Sequence, residues 1–100
     1  MIHYEVTLQC SAAAAPMLER SIRNTHIPNM LATGSFVAIH LDRADEDRFR
    51  TVYQAATQAD LDRYLTQHAE RLRGEFHDRF PDGVAVIREV WVQLQGWTSG

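Results

Sequence analysis

The residues best suited to chemistry in this 100-residue chain are two histidines and two glutamates, His3, Glu5, His40 and Glu89. His3 and Glu5 share one parity of an alternating N-terminal run, His40 lies in a second apolar run, and Glu89 in a third. Two carboxylates brought together in an apolar enclosure push one pKa upward and yield a general acid or base. An imidazole beside them titrates near neutrality. These four are therefore candidate catalytic residues. The alternative is that they form ion pairs and hydrogen bonds across an interface, since structural networks hold the same groups. Neither HxH nor HExxH spacing occurs, so no metal site is expected.

A second set could grip a ligand. Tyr53 and Trp91 are aromatic residues within strand-like segments, and His26 precedes Ile27-Pro28 where a helix should close. Aromatic rings at such positions commonly serve packing. His26 could line a pocket mouth, or more simply face helix C-terminal carbonyls, which favour a cation. His68 falls on an apolar helix stripe and reads as a core histidine. The single cysteine, Cys10, has no evident activating base and reads as a buried, inert thiol.

Local patterning supplies the elements that must position these groups. Ile2, Tyr4, Val6, Leu8 and Cys10 alternate with polar residues, which predicts a strand with one buried face. A helix should begin between Ala12 and Pro16 and run to about Asn24, because proline is tolerated in a first turn. Pro28 marks a boundary, and Gly34 should terminate one further turn over 29–33. Residues 35–41 and 49–56 read as strands, the facing of the second undecided, with a charged loop at 42–47 between them. Thr57 with Asp60 fits a capping box. The helix it opens should reach about Arg79, with Leu61, Tyr64, Leu65, His68, Leu72 and Phe76 as its apolar stripe and Glu75 paired with Arg79. Pro81-Asp82-Gly83 turns the chain into a strand over 84–94.

The order β-α-β-β-α-β is the split βαβ, or ferredoxin-like, arrangement: a four-stranded antiparallel sheet with two helices on one face. Residues 1–95 form the expected single domain and 96–100 a flexible tail. The reverse face of the sheet is left bare. By alternation it should carry Phe36, Ile87 and Trp91 among His3, Glu5, His40 and Glu89. Apolar patches of this kind are unusual on monomers, which predicts a homodimer.

The bulk composition narrows the function. The ten basic residues are all arginine and are outnumbered by thirteen acidic ones, giving a net charge of −3. That balance argues against nucleic-acid partners and anionic membranes. There is no signal-peptide pattern and no transmembrane stretch, so a cytoplasmic location is expected. No GxGxxG, P-loop or GxSxG motif is present, and no cofactor is expected.

Tyr4-Glu5-Val6, His26-Ile27-Pro28 through Leu31-Ala32-Thr33-Gly34, and Leu61 with Tyr64-Leu65, His68-Ala69 and Leu72-Arg73 resemble a bacterial family of short proteins described only as a domain of unknown function. The resemblance spans nearly the whole chain; the alanine-rich stretch at 11–15 departs from it. It implies the dimeric α/β-barrel superfamily, whose protomers are ferredoxin-like. That superfamily includes cofactor-independent monooxygenases, cyclases, isomerases and haem-handling proteins, with pockets between sheet and helices or inside the barrel. The resulting expectation is a homodimeric small-molecule-binding protein, with cofactor-free proton transfer, cyclisation or oxygenation as its chemistry if it is an enzyme. The rival is a non-catalytic dimeric protein-interaction or regulatory module, and haem or metal handling ranks below both.

Overall fold

The computed structural model describes residues 1–100. Strand β1 (Ile2–Gln9) leads into α1 (Ala15–Ser21), a π-helical turn (Ile22–His26) and α2 (Ile27–Ala32). Strands β2 (Ala38–Asp45) and β3 (Arg48–Ala55) form a hairpin. Helices α3 (Gln58–Gln67) and α4 (Ala69–Arg79) lead into β4 (Ala85–Val92). The strands join in one sheet of order β2-β3-β1-β4 with every pairing antiparallel. This is the expected α+β, ferredoxin-like architecture.

Pro28 does not end the first helical run as expected. It has no N–H, and its ring would collide with the carbonyl four residues back in a regular helix. The π turn removes the conflict. The Ile27 N–H bonds to the Ile22 carbonyl, five residues back, so Pro28 falls in the first turn of α2. Gly34, at φ 71°, then closes the run in the left-handed conformation. The second helical run is capped as expected, the Thr57 hydroxyl accepting from the Asp60 N–H at 3.2 Å. It breaks at His68, whose φ of −128° leaves helical geometry, so α3 and α4 are separate helices. Leu65 is exposed and is not part of the buried stripe. Arg79 donates to the Ser21 hydroxyl at 3.4 Å and makes no ion pair with Glu75.

All helices cover one face. Ile2, Tyr4, Tyr53 and Ala55 pack with Met30 of α2, Leu61 and Tyr64 of α3, and Ala69 and Leu72 of α4. Leu8 and Phe49 pack with Ala15 and Leu18 of α1 and Ile22 of the π turn. The two clusters meet at Val6, which touches both. The undecided facing of β3 is settled by register: Phe49, Thr51, Tyr53 and Ala55 lie opposite Leu8, Val6, Tyr4 and Ile2.

Phe36 corrects the expected reverse face. The second strand begins at Ala38, not Ser35, so alternation does not reach Phe36. Its ring is buried on the helix side, with centroids 5.3 Å from Tyr53 and 5.0 Å from Tyr64. Ile87 and Trp91 do lie on the bare face, 59% and 56% exposed. The C-terminal end of β4 is uncovered on its other face as well: Val90 and Val92 share the side of Tyr4 and Ile2 yet remain exposed, whereas Val86 packs against the core. No helix is long and apolar enough to cross a membrane.

Candidate functional site: a cleft between helices and sheet

The four catalytic candidates share the bare face. Glu5 lies directly opposite Glu89 across β1 and β4, and His3 opposite Trp91. His40 is one strand further away, with Val52 of β3 between it and Glu5. Arg50 organises this face. It holds Asp42 at 2.7 Å and approaches Glu5 at 3.9 Å, while His40 contacts Asp42 at 3.3 Å. The hydrogen bond to Asp42 is the main reason the Arg50 pKa is raised, with the negative charges of Asp42 and Glu5 adding to it. The surface is open to solvent, and no three of its histidines and carboxylates converge as a metal site would require.

The three ligand-binding candidates do not form one site. Trp91 is on the bare face, whereas Tyr53 and His26 lie on the helix side, where both line a cleft. The floor of that cleft is the cross-strand row Arg88–Val6–Thr51. Tyr4, Leu8, Tyr53 and Val86 flank the row on the sheet, and the walls are His26 and Met30 from the first helical run with Tyr64, Arg73 and Phe76 from the second. The free interior of the cleft is about 30 Å3, room for about two waters.

His26 enters the cleft because the helix does not end where Pro28 suggested. It therefore does not cap terminal carbonyls. The π turn carries its ring edge-on to Phe76, centroids 5.5 Å apart. Burial pushes the His26 pKa down to about 4, assisted by the positive charges of Arg79 and Arg88. The imidazole is thus neutral at neutral pH. Burial also raises the phenol of Tyr53, and that of Tyr64 to about 12, keeping both protonated. Tyr4 accepts a hydrogen bond from Arg73 at 2.9 Å, across 69 positions of sequence. Cys10 is buried, and burial together with the Asp47 carboxylate raises its pKa, the reverse of what a nucleophile needs. His68 is half-buried, its ring stacked on Tyr64 with an Arg71 nitrogen at 3.5 Å.

Sequence reasoning omitted Tyr4, Arg73 and Arg88 from the site. The available signal was Arg88, a charge interrupting the apolar parity of Val86, Val90 and Val92. A charge is costly on a covered sheet face unless something pairs with it.

Comparison with known proteins gives a family and a fold. The model of a family described as Domain of unknown function (DUF4286) matches residues 1–94. None of the curated proteins compared matches the chain. Among solved structures, HapK from Hahella chejuensis superposes with a TM-score of 0.72 at 17% identity, covering 100% of both chains. SnoaB from Streptomyces nogalater, a cofactor-independent oxygenase, gives 0.70 at 14% identity, covering 98% of this chain and 97% of its own. A dimeric ferredoxin-like protein from an uncultured marine organism gives 0.76 at 7% identity, covering 96% and 97%. At these identities the likeness is one of fold.

Proposed function

The chain belongs to the DUF4286 family, and from that premise we propose that it is a homodimeric small-molecule-binding protein whose ligand occupies the helix–sheet cleft. The observation that carries this is the composition of the cleft: an apolar and aromatic lining into which a few polar groups converge, Tyr4, His26, Arg73 and Arg88. That is the usual constitution of a small-molecule site. The small free interior means that a ligand enters by displacing side chains. Arg73 and Arg88 are exposed and long, so they are the movable ones.

Binding is better supported than acid–base catalysis by His26. A pKa of about 4 makes the imidazole a weak proton acceptor at neutral pH, while leaving it a good hydrogen-bonding partner. Cofactor-free chemistry of the kind named for SnoaB would depend on the reactivity of the ligand itself, with the cleft orienting it and limiting water.

The dimer reading rests on the bare face, where Ile87 and Trp91 are exposed, and on the dimeric character stated for a structural neighbour. In this reading His3, Glu5, His40 and Glu89 belong to the interface and act through ion pairs. Sedimentation of the wild type and of Trp91→Glu, with amide NMR during a fragment titration, tests both parts. The expected result is a wild-type dimer at micromolar concentration, a monomeric variant, and ligand-induced shifts confined to residues around Val6, Thr51 and Phe76. A monomeric wild type overturns the dimer, and shifts confined to the bare face overturn the cleft.

A further inference from the structure

We infer that the ligand of the cleft is an amphiphilic anion, an aromatic or otherwise apolar body bearing a carboxylate-type group, held by Arg88 and Arg73. The inference rests on the reading of the cleft as a ligand site and adds the chemistry of the occupant.

Four observations lead to it. Arg88 stands opposite Val6 on the helix-facing side of β4, in a register position whose neighbours Val86 and Val90 are apolar. It does not need to be there for the strand to form. Second, neither Arg88 nor Arg73 has a carboxylate within 4.0 Å; Arg20, Arg43, Arg71 and Arg79 are likewise unpaired, but of these six only Arg73 and Arg88 line the cleft. The only hydrogen-bond partner of Arg73 is the neutral phenol of Tyr4. Third, none of the cleft's 12 lining residues is Asp or Glu, in a chain with 13 of them and a net charge of −3. Fourth, the charge of Arg88 is felt at Tyr53, Tyr64 and His26 alike, so the cleft carries a positive field with no internal counter-charge.

The two arginines and the aromatic walls select different parts of one molecule. Guanidinium groups form paired, charge-assisted hydrogen bonds with a planar carboxylate. A neutral ligand would cover them without replacing their water, which is unfavourable. A bare inorganic anion would leave the apolar lining unused, and 8 of the 12 lining residues are hydrophobic. Tyr4, Tyr53, Tyr64 and Phe76 instead suit a flat apolar body, with the anionic end at the mouth. Entry requires Arg73 to exchange its bond to the Tyr4 phenol for one to the incoming anion, a stronger acceptor.

The test titrates the full chain with 2-naphthoate and with its neutral analogue 2-naphthamide, read by amide NMR and calorimetry. The expected result is shifts around Val6, Thr51 and Phe76 with both probes, and binding of the naphthoate tighter by about tenfold or more. Arg88→Gln and Arg73→Gln should each lower the preference for naphthoate over naphthamide by about tenfold, with Arg88→Lys recovering part of the loss. Circular dichroism verifies that these surface variants fold. Equal affinity for the two probes within the cleft, or naphthoate binding indifferent to both glutamine substitutions, overturns the anion inference and leaves the cleft standing. Shifts confined to the bare face, or no binding by either probe, overturn the cleft reading and the inference together.

Discussion

Replacing His26 should remove a specific acid sensitivity from the fold. In the native state its pKa is lowered from 6.5 to about 4, by burial first and by Arg79 and Arg88 second. The unfolded chain therefore binds the proton more readily than the folded one between those values, and stability rises with pH across that window. The contribution of neutral His26 is intact above about pH 6.5 and declines as pH falls to about 4, below which both states are protonated and the loss is complete. At 1.36 kcal/mol per pKa unit the full loss is about 3 kcal/mol, of which about 2 kcal/mol falls between roughly pH 7 and pH 5. Against a typical domain stability of roughly 5–15 kcal/mol this is readily measured. Urea denaturation of the wild type and His26→Gln at both pH values isolates the term, since His3, His40, His68 and His77 are common to both proteins and cancel. The wild type should lose about 2 kcal/mol more than the variant on acidification. Parallel losses, together with a His26 ring resonance titrating near 6.5 by NMR, would refute both the neutral imidazole and the positive field attributed to the cleft.

Two substitutions probe the framework. Thr57→Ala removes the cap on the Asp60 N–H and should cost about 1 kcal/mol in urea denaturation; no loss would show that α3 starts elsewhere. Ser35→Ala should be neutral or stabilising by up to about 1 kcal/mol, because the Ser35 hydroxyl is buried without a hydrogen-bond partner. A clear destabilisation would reveal a partner, such as a bound water, at that hydroxyl.

How much of this was legible in the sequence depends on the physical range of each signal. Alternation is local, and it correctly placed Ile2, Tyr4, Val6 and Leu8 toward the helices and His3 and Glu5 away from them. Capping is local too, and Thr57 with Asp60 was readable. Phe36 was misplaced because alternation holds only inside a strand, and the strand starts two residues later. Pro28 reads as a boundary because a regular helix cannot pass it; the π turn that admits it, with the Ile27 N–H on the Ile22 carbonyl, has no residue signature. Of the two readings open for His26, a pocket mouth or a helix end, the π turn removes the helix end and leaves the cleft wall.

Arg88 marks where local reading stops and assembly begins. Parity alone says which side of the sheet a residue faces, and that was available for all of β4. Parity cannot say how far the helices reach across the sheet, so the exposure of Val90 and Val92 on the helix side was not foreseeable. An arginine in that apolar parity admits two explanations: its side chain escapes to solvent at an uncovered edge, or it serves a site. The structure makes these compatible. The residue is exposed, which allows a charge on the helix side, and it lines a cleft free of acidic residues. The uncovered edge strand is therefore the feature that allows a cation to face an aromatic interior. Covering β4 with a helix would require Arg88 to be paired or lost.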